Sequence, residues 1–67
     1  MWAIRNTRTK KWLYGTDFKH KPYVQMTSKD CCLTYEDERS ALIDMRFRMC
    51  DKEYEVVRVR MIIMAEI

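Results

Sequence analysis

The sequence has little of what flexible, exported or membrane-spanning chains contain. Its 67 residues include one glycine and one proline, too few for a linker or a disordered segment. No apolar run approaches the roughly 18 residues of a membrane span. Charge at Arg5 interrupts the N-terminus before a signal-peptide core develops. We therefore expect a protein that is neither secreted nor inserted in a membrane.

Cysteine and histidine are also scarce. Three cysteines are an odd number, and Cys31 and Cys32 are adjacent, which fits neither a disulfide framework nor a zinc finger or ribbon. His20 is the only histidine, so a metal site or a Cys–His nucleophile would need residues that are distant in the sequence. We expect reduced thiols, a cytoplasmic location, no bound metal and no cofactor.

Patterns typical of catalysis are missing as well. Gly15 stands alone, so there is no glycine-rich loop to hold a phosphate. Asp37 and Asp44, or Glu53 and Glu55, are pairs of carboxylates, but charge at such positions usually solubilises helix and strand surfaces. We assign no catalytic residue and expect that the protein is not an enzyme.

What the chain does contain is enough apolar sequence for one small core. Hydrophobic residues make up 48% of the chain and aromatic residues 12%, as in a folded domain. A chain of this length buries only about 60% of its unfolded surface, so we expect residues 1–67 to form one domain with a thin core. Thirteen Lys and Arg against ten Asp and Glu give a net charge of +3, which alone does not indicate nucleic-acid binding.

Short alternating segments predict β-strands near both ends of the chain. Trp2 and Ile4 alternate with other residues, and 11–14 is a second aromatic and apolar run, so the N-terminal part predicts a β-hairpin. Residues 18–22, with Pro22, predict a surface loop, and 23–26 a short edge strand. Residues 54–63 are β-branched and alternating, with Val57 and Val59 on one face, and predict a strand of ten residues.

The acidic segment 36–38 predicts the start of a helix, because negative charge is favourable at a helix N-terminus. Thr34 and Asp37 are spaced like a capping box, and the helix is expected to run to about Cys50. One apolar stripe, expected to pack on the sheet, consists of Ala41, Leu42, Met45 and Met49; a second consists of Ile43, Phe47 and Cys50. One small sheet is not expected to cover both stripes.

These elements predict the order β-β-(β)-α-β. The expected fold class is α+β, a two-layer domain with an antiparallel sheet of three to four strands and one helix. Four segments carry a family resemblance: WAIRN at 2–6, WLYGTD at 12–17, LTYEDE at 33–38 and YEVV at 54–57. In these segments the chain resembles small uncharacterised proteins of bacterial phages and mobile elements. The resemblance implies the fold and a bacterial or phage setting, but it assigns no functional residue.

Two basic aromatic regions are candidates for contact with nucleic acid, since cations bind phosphate and aromatic rings stack on bases. Their residues are Arg5, Arg8, Lys10, Lys11 and Trp12 in the first region, and Lys19, Lys21 and Tyr23, with Phe18 and His20, in the second. The alternative interpretation is a solvated hairpin turn and a solvated loop. Acids at 36–38 and 51–55 cancel much of the positive field.

A candidate protein interface comes from apolar residues in excess of what one small core needs. These residues are Ile43, Phe47, Met61, Ile62 and Ile63. The predicted ten-residue strand is longer than the hairpin strands, so its far half is expected to be an unpaired edge. A two-fold dimer closes such an edge, and we expect a homodimer.

Two functional hypotheses follow. The first is a non-catalytic protein-binding module that occupies a surface on a bacterial or phage protein. The mobile-element resemblance makes an inhibitor of a host defence protein, such as an anti-CRISPR protein, a special case of it. The alternative is a small DNA- or RNA-binding accessory protein that uses the two basic regions.

Overall fold

A computed structural model of the protein describes residues 1–60, which contain five strands and one helix. The elements in chain order are β1 (Trp2–Asn6), β2 (Trp12–Asp17), β3 (Val24–Ser28), β4 (Thr34–Tyr35), α1 (Glu38–Phe47) and β5 (Tyr54–Arg58). The predicted α+β fold with an antiparallel sheet and one helix is confirmed. The sheet has five strands rather than three to four, because the two-residue strand β4 has no sequence period to reveal it.

Strand β1 is the centre of the sheet. It pairs with β5 over its whole length, from Trp2 opposite Arg58 to Asn6 opposite Tyr54. This pairing occupies one edge of β1. The other edge of β1 pairs with β2 near Arg5 and with β4 near Trp2 and Ala3. Strand β3 pairs with β2 on the side away from β1. Among residues 1–60, β3 pairs with β2 alone, and β4 and β5 each pair with β1 alone.

The predicted N-terminal hairpin is confirmed, and its turn is held by one side chain. Asn6 Oδ1 accepts hydrogen bonds from the amides of Arg8, at 2.9 Å, and Thr9, at 3.0 Å. Lys10 has a φ of 63°, and its amide donates to the Asn6 carbonyl. A short amide side chain that folds the backbone over itself in this way is a common device of tight turns.

The two faces of the sheet carry different buried groups. Ala3, Trp12, Val57 and Val59 form a cluster on one face, with Met1 and Cys32 packed against it. Ile4 and Leu13 are fully buried and, as strand neighbours of Ala3 and Trp12, point to the opposite face.

The helix covers the Ile4 face. Trp2 shares that face with Ile4, and its cross-strand partner is Tyr35. The Tyr35 hydroxyl donates to the Asp44 carboxylate in α1. Strand pairs share a face, so this contact fixes the side on which the helix packs.

The helix begins within the acidic segment 36–38, as predicted, but its cap differs from the prediction and it ends earlier. Its N-cap is Asp37, whose Oδ1 accepts from the Ser40 amide at 2.7 Å. Thr34 lies in β4, so the predicted capping box of Thr34 and Asp37 is wrong. The helix ends at Phe47 rather than near Cys50, because Met49 has a φ of 55°, outside the helical region.

The stripe predicted to pack on the sheet is wrong at two of its four positions. Ala41 is buried and Met45 half-buried, whereas Leu42 and Met49 are exposed. The helix packs against β1, β4 and β5, and the arc that these strands cover is narrower than the predicted stripe. Met49 also lies beyond the last helical turn.

The predicted C-terminal strand is confirmed over its first half. The regular strand ends at Arg58, opposite Trp2, where β1 begins, and the amide of the next residue, Val59, still donates to the Met1 carbonyl at 2.9 Å. Val57 and Val59 share a buried face, as predicted. Met61, Ile62 and Ile63 lie outside the described residues. The edge strand predicted at 23–26 is present as β3.

Among residues 1–60, the helix α1 is too short and too polar to cross a lipid bilayer.

Candidate functional site

Three exposed side chains and one half-buried tyrosine form a cluster between α1 and the β2–β3 loop. We call it the aromatic patch, and its members are Phe18, Tyr23, Ile43 and Phe47. The ring centres of Phe18 and Tyr23 lie 4.9 Å apart, and those of Phe18 and Phe47 lie 5.7 Å apart. Ile43 is 60% exposed and Phe47 70% exposed. These two residues are four positions apart and are neighbours on one side of the helix. The second helix stripe of the sequence analysis thus remains uncovered at these positions.

The β2–β3 loop brings Phe18 to the helix. Asp17 pairs with Val24, so Phe18 and Tyr23 are the first residues on either side of the loop and their rings meet. Asp17 Oδ1 accepts from the Lys19 amide at 2.9 Å, which shapes the start of the loop. Phe18 then reaches Phe47 in the last turn of α1.

A set of polar contacts under the aromatic patch ties the end of the helix to the β2–β3 hairpin. We call it the Arg48 network, and its members are Thr16, Gln25, Tyr35, Asp44 and Arg48. Arg48 donates to Asp44 Oδ2 at 2.8 Å and to Thr16 Oγ1 at 2.9 Å. Gln25 accepts from Thr16 at 2.7 Å and donates to the Arg48 carbonyl at 2.6 Å. The position of α1 relative to the hairpin is therefore fixed by directional bonds.

Charge and burial shift the titration of the network. Burial raises the pKa of the Tyr35 hydroxyl, and the hydrogen bond to Asp44 and its charge raise it further. Burial alone would raise the pKa of Asp44, but the hydrogen bonds from Tyr35 and Arg48 and the Arg48 charge outweigh it and lower that pKa. At neutral pH the network thus holds a carboxylate, a guanidinium and a neutral phenol.

The first basic region is largely paired with acids. Arg5 donates to Glu55 Oε2 from Nε at 2.9 Å and from Nη2 at 2.7 Å. Arg8 lies 3.3 Å from the Glu53 carboxylate. The guanidinium of Arg5 also lies 5.6 Å from the centre of the Trp12 ring, and Trp12 is only 9% exposed. Lys10 is exposed and Lys11 is half-buried. The aromatic ring of this region, Trp12, is buried and cannot stack on a base beside these lysines.

The second basic region adjoins the aromatic patch. Lys19, His20 and Lys21 are exposed, and Tyr23 is half-buried. Within residues 1–60, Lys19, His20 and Lys21 form no salt bridge. Arg46, in the last turn of α1, is exposed as well. The patch therefore has cations at its margin.

The three cysteines differ in their exposure. Cys31 is exposed, and Cys32 and Cys50 are half-buried. Burial raises the pKa of the Cys50 thiol to about 11, and burial with the neighbouring Cys31 raises that of Cys32. Both thiols are protonated at neutral pH, the poorly nucleophilic form. Within residues 1–60 no three His, Cys, Asp or Glu side chains come together as metal ligands.

The structure joins candidate residues that the sequence analysis had separated. Ile43 and Phe47 were predicted to form an interface, and Phe18 and Tyr23 were assigned to a nucleic-acid region, yet all four are members of one patch. The remaining predicted interface residues, Met61, Ile62 and Ile63, lie outside the described part of the chain. Comparison with known protein families, with curated proteins and with solved structures found no match.

Proposed function

We propose that the protein is a non-catalytic protein-binding module that uses the aromatic patch to occupy a surface on a bacterial or phage protein. The observation that carries this proposal is the exposure of Ile43 and Phe47, 60% and 70%, side by side on α1 and in continuity with Phe18. Contiguous apolar side chains exposed in this way mark interaction sites more often than isolated ones do.

The aromatic patch has the physical character of a binding surface. Aromatic side chains contribute large apolar area at interfaces and are frequent energetic hot spots. The Arg48 network holds α1 against the β2–β3 hairpin, so little ordering is needed when a partner binds, and a preorganised surface binds more tightly. Lys19 and Lys21 at the margin suit a partner with an apolar centre and acidic residues around it.

The resemblance to phage and mobile-element proteins supports a special case of this proposal. In that case the partner is a protein of a bacterial defence system, and binding alone inhibits it by covering a surface that it needs. Such an inhibitor requires no catalytic group. An anti-CRISPR protein that blocks its target by binding alone would be an example.

Changing Phe47 to aspartate tests the role of the aromatic patch. We expect Phe47→Asp to reduce the capture of the partner from a bacterial lysate at least about tenfold, because a charge would be desolvated in the apolar centre of the interface. The measurement is quantitative mass spectrometry of proteins retained by the immobilised wild type and variant. Only proteins that depend on Phe47 count as partners.

The matched control is Val24→Lys, compared with Ile43→Lys. Val24 is 61% exposed, close to the 60% of Ile43, but it lies in β3, where a lysine would face Asp17 of β2 with opposite charge. Capture should survive Val24→Lys and be lost with Ile43→Lys and Phe47→Asp, and circular dichroism should show all three variants folded. Capture that is indifferent to Ile43 and Phe47 would contradict the proposal.

A second candidate function is binding of single-stranded nucleic acid, and one observation favours it. Lys19, His20 and Lys21 are exposed directly beside the partly exposed Phe18 ring, which combines cations with a stacking surface. We expect Lys19→Glu with Lys21→Glu to abolish such binding, and Lys10→Glu with Lys11→Glu, an equal change of charge, to weaken it less. Fluorescence anisotropy with short single strands in low salt measures this, and absence of binding by the wild type would exclude the function.

A further inference from the structure

Strands β3 and β5, the two longer strands that pair with a single neighbour among residues 1–60, differ in how they are protected against pairing. Strand β5 contains Glu55 and Arg58, and charged side chains are a usual defence of sheet edges. Strand β3 has the sequence VQMTS, with no charge, proline or glycine. Among residues 1–60 it pairs only with β2, so its other edge presents backbone amides and carbonyls to whatever approaches.

Strand β3 is also held in an extended conformation. It pairs with β2 at five positions, from Trp12 opposite Ser28 to Asp17 opposite Val24. The Gln25 side chain is fixed by Thr16 and by the Arg48 carbonyl. Val24 and Met26 alternate with it and are exposed. Because β3 is already ordered, little conformational entropy would be lost when another strand pairs with it.

We propose that the outer edge of β3 binds the same edge of a second copy of this chain, in an antiparallel pairing centred on Met26. In this register Met26 lies opposite its own counterpart, Gln25 opposite Thr27, and Val24 opposite Ser28. Apolar side chains meet each other at the centre, and polar side chains that can hydrogen-bond meet beside it. The sequence of β3 is therefore complementary to itself around Met26. A strand edge that binds a different protein has no need of such self-complementarity.

Charge at the ends of β3 neither favours nor opposes this register. Lys21 precedes the strand, and Lys29 and Asp30 follow it. Antiparallel pairing brings the Lys21 end of one copy towards the end of the other that carries Lys29 and Asp30, where one cation and one anion nearly cancel. The net charge of +3 is small, and repulsion between copies is correspondingly weak.

The pairing is two-fold, so it closes at two copies and joins two five-stranded sheets into one. It does not use the aromatic patch and does not rest on the proposed function. Two strands of five residues bury less surface than the about 1,200 Å² of stable complexes, so we expect a dimer with a micromolar dissociation constant. Each dimer would display two aromatic patches.

Opposite charges placed at Met26 test the pairing. Met26→Lys and Met26→Glu should each raise the dissociation constant at least about tenfold, because like charges then face each other across the two-fold axis. An equimolar mixture of the two variants should dimerise again, because the charges become opposite. Sedimentation velocity over a series of concentrations measures all three samples, and circular dichroism shows whether the variants are folded.

Ile43→Lys is the control, since it adds the same charge at an exposed apolar residue of the aromatic patch. It should retain the dimer while losing capture of a protein partner, so the two proposals fail separately. As a measurement without mutation, hydrogen exchange of the Val24–Ser28 amides should slow as the protein concentration rises. A wild type that is monomeric at hundreds of micromolar, a Met26→Lys variant that still dimerises, or a mixture that stays monomeric would overturn the proposal.

Discussion

Replacing Ile4 by alanine is expected to lower the free energy of unfolding by about 2–5 kcal/mol, the usual range for truncating a large buried aliphatic residue. Ile4 is fully buried in the central strand, opposite Val56 and on the face that α1 covers. Domains of this size have about 3–10 kcal/mol of stability in total, so much of the margin is lost. Urea unfolding followed by tryptophan fluorescence measures the change.

Ile43→Ala removes the same atoms from the same residue type and is the matched control. Because Ile43 is 60% exposed, its truncation should change the free energy of unfolding by no more than about 0.5 kcal/mol. A large loss at Ile43, or a small one at Ile4, would mean that the helix packs through a different side than the structure shows. It would also remove the basis for the aromatic patch.

The strands were predictable where their pattern is local. β1, β2 and the first half of β5 alternate over several residues, and a period of two is visible without knowledge of partners. β4 has two residues, Thr34 and Tyr35, too few to show a period. Its existence depends on β1 offering an edge beside β2, which is a property of the assembled sheet.

The helix was predicted in the right place, but its buried stripe was predicted too wide. A helical wheel shows which residues share a side, and it correctly separated Ile43 and Phe47 from Ala41. It cannot show how wide the supporting sheet is. Leu42 is exposed because few strands contact the helix, and Met49 because the chain leaves the helix at Arg48.

The candidate site was predictable in part for the same reason. An excess of apolar residues indicated that Ile43 and Phe47 stay exposed, but the approach of Phe18 depends on how the β2–β3 loop closes. The partner of Arg5 was also hidden, since Glu55 is 50 positions away in the sequence. Composition indicated a basic region at Arg5, and only the strand pairing of β1 with β5 shows that its charge is matched.

Replacing Asp44 by alanine is expected to lower the free energy of unfolding by about 1–3 kcal/mol, because it leaves the Tyr35 hydroxyl and the Arg48 guanidinium without their shared acceptor. The loss should depend on pH. The pKa of Asp44 is lowered from its ordinary value of 3.8, so its contribution is present above that pH and disappears as the pH falls. The variant and the wild type should therefore differ at pH 7 and converge as the pH falls through the lowered pKa of Asp44.

The alkaline side gives the opposite sign for Tyr35. Its pKa is raised from the ordinary 10.0, so its contribution is present below that pH and is lost as the pH rises further. Asp44→Ala should lower the pKa of Tyr35, which ultraviolet absorbance of the phenolate reports, with Tyr35→Phe identifying which of the tyrosines changes.

Asp30→Ala is the control for the loss of one negative charge, since Asp30 is exposed in the loop after β3. It should leave both the stability and the Tyr35 titration unchanged. A double-mutant cycle with Tyr35→Phe and Asp44→Ala should be non-additive, because the two side chains share one hydrogen bond. Additive effects, or equal effects of Asp44→Ala and Asp30→Ala at neutral pH, would show that the Arg48 network does not hold the helix against the hairpin. If it does, Asp44→Ala should also weaken partner capture, although Asp44 is not a member of the aromatic patch.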